Sequence, residues 1–208
     1  MVRKKLYASA RSWRRRAIVM VTALLSVTGL LGVSGAPANA SAAAIIFYNH
    51  FIGKCADLPG YGTPKMNDPV TQYNCNFDAN GDNQAFYQVQ VGDSSRGPLY
   101  YFETYKGGWC LDPPGYGAPP VGAHLDVYPC NYGNPSADNQ EWLVQPIYAG
   151  VDEIINYKSG LCLDVSGWYP HSDMSNDLPL TVYPCYDPSW DGGGYDDHLW
   201  TLYIANNQ

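Results

Sequence analysis

Three sets of side chains recur along this chain, each with a carboxylate, a flat aromatic ring and a third polar group. They are Asp57, Tyr73 and Asn83; Asp112, Tyr128 and Asn139; and Asp164, Tyr183 and Asp197. A carboxylate accepts hydrogen bonds, a side-chain amide both donates and accepts them, and an aromatic face packs against C–H bonds. Such a kit suits reversible binding of a polyhydroxylated ring, which offers hydroxyls at its edge and an apolar C–H face. The third set differs from the others. Asp197 replaces an asparagine, so an amide donor is lost and a second carboxylate comes near Asp164. Two nearby carboxylates repel and raise one pKa, or they bind a cation. The second set therefore makes the strongest site and the third the weakest. A plainer use stays open for each residue: the aspartates can hold their own turns, and the tyrosines can pack on strands.

Nothing in the chain points to catalysis. A G-x-S-x-G nucleophile elbow and an H-E-x-x-H metal motif are both missing. His50, His124, His171 and His198 are scattered, and the acidic pairs Asp152-Glu153 and Asp196-Asp197 are not placed across a cleft by any sequence signal. The run Asp78-Ala79-Asn80-Gly81-Asp82 resembles the start of a calcium loop. However, it continues to Asn83 and Val89 where such a loop needs glycine and glutamate. No enzymatic activity, metal or cofactor is expected.

The elements that must position these residues form a threefold repeat. Each copy holds one cysteine pair and closes on an aromatic residue: Cys55, Cys75 and Phe86; Cys110, Cys130 and Trp142; Cys162, Cys185 and Trp200. Successive second cysteines are 55 residues apart both times. A fixed period of this size means one structural unit used three times, each burying its apolar face against its neighbours. The spacings within a copy are 20, 20 and 23 residues, so Cys55–Cys75, Cys110–Cys130 and Cys162–Cys185 is the pairing that treats the copies alike. A zinc site fits poorly, because no C-x-x-C pair is present.

Each copy, about 45–95, 96–149 and 150–208, offers four strand-like runs between Gly, Pro, Asn and Asp clusters. These are 45–51, 54–58, 70–75 and 85–91; 99–105, 109–112, 124–128 and 141–147; 153–157, 161–165, 180–183 and 199–204. No window carries a sustained helical period. Twelve short strands in three sets of four predict an all-β fold, a pseudo-threefold β-trefoil: a six-stranded barrel capped by three hairpins. Phe86, Trp142 and Trp200 belong to its core, and Gln84 and Gln140 satisfy backbone groups below the sites.

Residues 1–40 stand apart. A basic segment, an apolar stretch from 17 to 33 and the small-residue site Ala38-Asn39-Ala40 form the pattern of a secretory signal peptide, with a signal anchor as the competing reading, so the mature chain, 41–208, is expected to begin at Ser41. Removing the leader leaves five basic against nineteen acidic residues, a formal charge of −14. That surface repels nucleic acid and anionic membranes and keeps the protein soluble. Six cysteines in an exported chain agree with disulfides and an extracellular, secreted setting.

Cys162-Leu163-Asp164-Val165, Val182-Tyr183-Pro184-Cys185 and Gln140-Glu141-Trp142 resemble the C-L-D-V, aromatic-Pro-Cys and Q-x-W signatures of ricin B-type lectins. The resemblance covers all three copies, with Phe86 for tryptophan in the first and His198 for glutamine in the third, and is to a secreted, bacterial-type member. It implies a carbohydrate-binding lectin in which each aspartate accepts from adjacent hydroxyls, each tyrosine stacks, and the amide adds a donor and an acceptor. A β-galactoside or a plant or microbial polysaccharide would be the partner, and the protein would be a monomer. Pro59-Gly60-Tyr61-Gly62 recurs as Pro114-Gly115-Tyr116-Gly117, with Gly167-Trp168 in the matching place. Tyr61, Tyr116 and Trp168 are thus candidates for a second wall, unless these loops fold over and close the pockets. With closed pockets, a partner-binding protein would be the reading, and a β-trefoil protease inhibitor is the other alternative.

Overall fold

A computed structural model describes residues 43–167, 174–185 and 197–206. The expected leader at 1–40, Trp168, His171 and Asp196 lie outside the described residues. The strands are β1 (Ala44–Asn49), β2 (Cys55–Asp57), β3 (Thr71–Tyr73), β4 (Ala85–Ser94), β5 (Gly97–Thr104), β6 (Trp109–Asp112) and β7 (Ala123–His124). They continue as β8 (Asp126–Pro129), β9 (Trp142–Tyr148), β10 (Val151–Asn156), β11 (Cys162–Val165), β12 (Leu180–Tyr183) and β13 (Leu199–Ile204). Among the described residues, one 3-10 turn spans Pro135–Ala137.

Six strands close into a ring of antiparallel pairs, β1–β4–β5–β9–β10–β13 and back to β1. Closure removes the exposed sheet edges that would otherwise invite aggregation. Three hairpins, β2–β3, β6–β8 and β11–β12, cap it. This is the β-trefoil expected from the strand count. β-Branched and aromatic residues build the barrel strands and fill the interior: Phe47, Phe86, Phe102, Trp142, Ile154 and Trp200 are buried in one cluster. The indoles also satisfy buried carbonyls, Trp142 Nε1 donating to Leu111 (3.2 Å) and Trp200 Nε1 to Leu163 (3.0 Å). The three disulfides pair as the repeat requires, with Cα–Cα separations of 5.0, 5.0 and 4.9 Å.

The copies meet in two cyclic sets of backbone hydrogen bonds. In the first, Val70 N–H donates to Leu125 (3.0 Å), Leu125 to Leu180 (2.9 Å) and Leu180 back to Val70 (2.9 Å). In the second, Asn67 donates to Val127 (2.7 Å), Gly122 to Val182 (2.8 Å) and Asp177 to Gln72 (2.8 Å). Buried peptide groups must find partners, and here each copy supplies them to the next.

Two strand expectations are refined. The run at 124–128 is split, because β7 pairs with β12 of the third copy while β8 pairs with β6 of its own. The first strand ends at Asn49 rather than 51, because the Asn49 side-chain oxygen accepts the Phe51 (3.2 Å) and Ile52 (3.0 Å) N–H groups and turns the chain.

Candidate functional site

Three cavities lie at matching places in the three copies. The first, about 230 Å³, is lined by Asp57, Tyr73 and Tyr61 among others. The second, about 160 Å³, is lined by Asp112, Tyr128 and Tyr116, and the third, about 350 Å³, by Asp164, Tyr183 and Asp197. In each, the aspartate stands at or next to the end of the first strand of the cap hairpin and the tyrosine at or near the end of the second. Pairing of those strands brings carboxylate and ring to one mouth. The three aspartates are buried, at 4–7 % exposure, while Tyr183 is 48 % exposed.

A glutamine below each of the first two cavities does two jobs. Gln84 Nε2 donates to Asp57 Oδ1 (3.2 Å) and to Asn74 O (3.0 Å), while its oxygen accepts from Asn76 N–H (2.7 Å). Gln140 likewise donates to Pro129 O (3.2 Å), accepts from Asn131 N–H (3.1 Å) and bonds the Asp112 carboxyl. His198 takes over in the third copy, with Nε2 3.2 Å from Asp164 Oδ1 and Nδ1 3.5 Å from Asp197 Oδ1. Thr181 Oγ1 donates to the other Asp164 oxygen. No backbone amide among the described residues donates to Asp57 or Asp112, so their carboxylates are not consumed in holding turns.

Asn83 and Asn139 each commit an amide donor to the Gly loops, Asn83 Nδ2 donating to Gly60 O (2.7 Å) and Asn139 Nδ2 to Gly117 O (2.9 Å). The preceding aspartates, Asp82 and Asp138, line the cavities instead. The tethered loops stand open: Tyr61 is 74 % and Tyr116 68 % exposed, each at a cavity rim. Gly60 and Gly115 turn there at φ +94° and +100° with free space around them, so backbone conformation rather than crowding calls for glycine. Trp168 is outside the described residues.

Each cavity has a further wall from a neighbouring copy, which period-by-period reading missed. Asp177 enters the first cavity, Asn67 the second, and Gly122 and His124 the third. Asn67, Gly122 and Asp177 share a left-handed conformation, with φ of 66°, 77° and 63°. Their 55-residue spacing, and the preference of Asn, Gly and Asp for that conformation, was the available signal.

The model of the ricin-type β-trefoil lectin domain matches residues 44–191. The chain belongs to this family. Among solved structures, this ricin-type domain is similar to the designed threefold-symmetric protein ThreeFoil, with TM-score 0.60 and 22 % identity over 76 % of this chain and 96 % of that one. It is similar to an exo-β-1,3-galactanase from Clostridium thermocellum (TM-score 0.58, 21 % identity), covering 78 % of this chain and 30 % of the enzyme. It is also similar to the Macrolepiota procera ricin B-like lectin solved with lactose (0.52, 17 %), covering 76 % and 93 %. At these identities the likeness shows the fold. No curated protein matches the chain in sequence.

The first two cavities of this ricin-type domain each gather three aspartates. Burial pushes the Asp112 carboxyl up to about 7 against the bond from Gln140, with Asp126 and Asp138 adding repulsion. Asp57 rises to about 6 by burial, against Gln84 and with Asp82 and Asp177, and burial alone takes Asp126 to about 6. These groups bind protons more tightly folded than unfolded, where an aspartate titrates near 4. Stability from them is therefore fully present below about pH 4 and is lost as pH rises through 6 to 7. Melting temperature should fall by a few degrees between pH 5 and pH 8. Asp112→Asn should flatten part of that slope, and an unchanged slope in the variant would dissociate Asp112 from it.

Proposed function

We propose that this chain is a secreted, monomeric lectin that binds carbohydrate without chemistry through up to three cavities. The observation that carries the reading is the threefold recurrence, at one place in a ricin-type lectin fold, of a buried carboxylate beside a tyrosine ring. Each aspartate accepts from ring hydroxyls while Tyr73, Tyr128 or Tyr183 stacks on the C–H face. Tyr61 and Tyr116 extend the surface for a longer glycan. Their exposure favours open pockets over closed ones. One ring and one carboxylate in a small open cavity supply about −4 to −5 kcal/mol, a dissociation constant on the order of a millimolar. Three cavities on one rigid body gain by multivalency on a polysaccharide or a cell surface. The leader at 1–40 supports export, and β-galactosides and plant or microbial polysaccharides are the ligand classes to try first.

Oxidised 41–208 should bind at least one glycan or insoluble polysaccharide on an array that includes those classes, and the Asp57→Ala/Asp112→Ala/Asp164→Ala variant should lose that binding. A well-folded wild type that binds none, or equal binding by the triple variant, would overturn the reading. Export is checked separately by N-terminal sequencing of the secreted protein, expected to start at Ser41.

A further inference from the structure

The second cavity departs from its siblings in the residue that faces its aspartate across the cap hairpin. Thr71 and Thr181 stand across the cap hairpin from Asp57 and Asp164, whereas Asp126 stands in register across from Asp112. Side chains directly opposite on an antiparallel pair share a face, so like charges there are destabilising. In the third copy the threonine hydroxyl donates to its aspartate. In the second copy that donor is replaced by another acceptor. Asp112, only 4 % exposed, keeps Oδ1 buried with no hydrogen-bond partner, and so does Asp126. Asp138 adds a third carboxylate to the same cavity, and neither lysine nor arginine lines it. Lys158 is engaged behind, donating to the backbone carbonyls of Ser136 (3.0 Å) and Asp138 (3.4 Å).

Asp82 and Asp177 also line the first cavity, but Thr71 stands opposite its aspartate; only in the second does a carboxylate directly face the buried one, a repulsion that the hydroxyls of a neutral sugar do not neutralise. A protonated amine brings three N–H donors and a positive charge, the complement of a site made of acceptors. Tyr128 and Tyr116 in the same cavity favour an organic cation further, through C–H packing and cation–π attraction. A hard divalent cation is less suited, since it wants six to eight oxygens around it and gains nothing from the rings. We propose that the second cavity selects an amino sugar, its free ammonium held among Asp112, Asp126 and Asp138 while the sugar ring lies against Tyr128. This rests on the carbohydrate-binding reading and narrows it to sugars with an unacetylated amine.

The test compares short glucosamine oligomers with N-acetylglucosamine oligomers of the same length. Both are titrated into oxidised 41–208 at pH 7 in 0.15 M salt, where charges more than about 8 Å apart are largely screened. The amine form should bind roughly tenfold tighter. Asp126→Thr, which installs the residue type the other copies carry, should abolish most of that ratio, and its melting temperature reports that it folds. Equal or tighter binding of the acetylated form overturns the proposal while leaving the lectin reading standing. A preference unchanged in Asp126→Thr also overturns it, by assigning the effect to the acidic surface at large. Calcium chloride alone binding at this cavity, with no amine preference, would give the carboxylates to a metal and overturn it too. Failure of the lectin reading is distinct: no glycan of any kind would then bind.

Discussion

Reduction of the three disulfides should unfold this domain at room temperature. Each bond closes a loop of 20 to 23 residues around a cap hairpin. In the chain-entropy account a loop of that length stabilises by roughly 3 kcal/mol. Three together reach about 9 kcal/mol, within the 5–15 kcal/mol that a domain has in total. The caps depend on them because their strands are short: β2 and β3 have three residues each, and β6, β11 and β12 four. The cavities sit on those caps, so a single lost bond should damage its own site first. Removing Cys110–Cys130 by double alanine substitution should lower the melting temperature by roughly 6–12 °C, at 2–4 °C per kcal/mol for a domain of this size. Calorimetry with and without reductant is the check, and a reduced protein melting where the oxidised one does would refute the account.

Phe47→Ala should cost about 3–5 kcal/mol, the range for truncating a fully buried phenylalanine. Phe47 is wholly buried in β1 and meets three other rings edge to face: Phe102 at 4.7 Å, Phe86 at 5.3 Å and Trp200 at 6.5 Å. Such pairs add to simple area burial. Phe86 is from its own copy, Phe102 from the second and Trp200 from the third, so the truncation opens a cavity where all three copies meet. Ile154 occupies the corresponding barrel position in the third copy and is equally buried. Ile154→Val there removes one methylene and should cost only about 0.5–1.5 kcal/mol. Denaturant unfolding of both variants tests the contrast, and similar losses would mean that the Phe47 rings are not the shared centre of the core.

Much of the fold was legible because its instructions are local and repeated. The cysteine spacing, the strand-forming runs and the aromatic residues at 86, 142 and 200 recur with the period of one structural unit. A unit that cannot bury its apolar face alone has few ways to close. A threefold set of four short strands therefore led to the barrel and its hairpins. The aspartates and tyrosines at the cavity mouths were legible for the same reason, since each pair belongs to one hairpin of one copy.

What the sequence left open concerns the directions of side chains and the company of other copies. Asn83 and Asp82 are neighbours in the chain, and only the path of the Gly loop decides that the asparagine ties the loop while the aspartate faces the cavity. His198 was read as a departure from glutamine, yet in place it contacts the aspartate from the position the glutamine would hold. In the sequence Asp126 is one residue of the strand-like run 124–128, and only the pairing of β6 with β8 sets it opposite Asp112. Asn67 and Asp177 reach cavities of other copies through the cyclic backbone bonds that join the three units. The sequence by itself determined the repeating unit, its disulfides and its core, because those depend on composition and spacing within one copy. The tertiary structure alone decided the charge and the walls of each cavity, because these arise where hydrogen bonding brings one copy's turn against the next copy's hairpin.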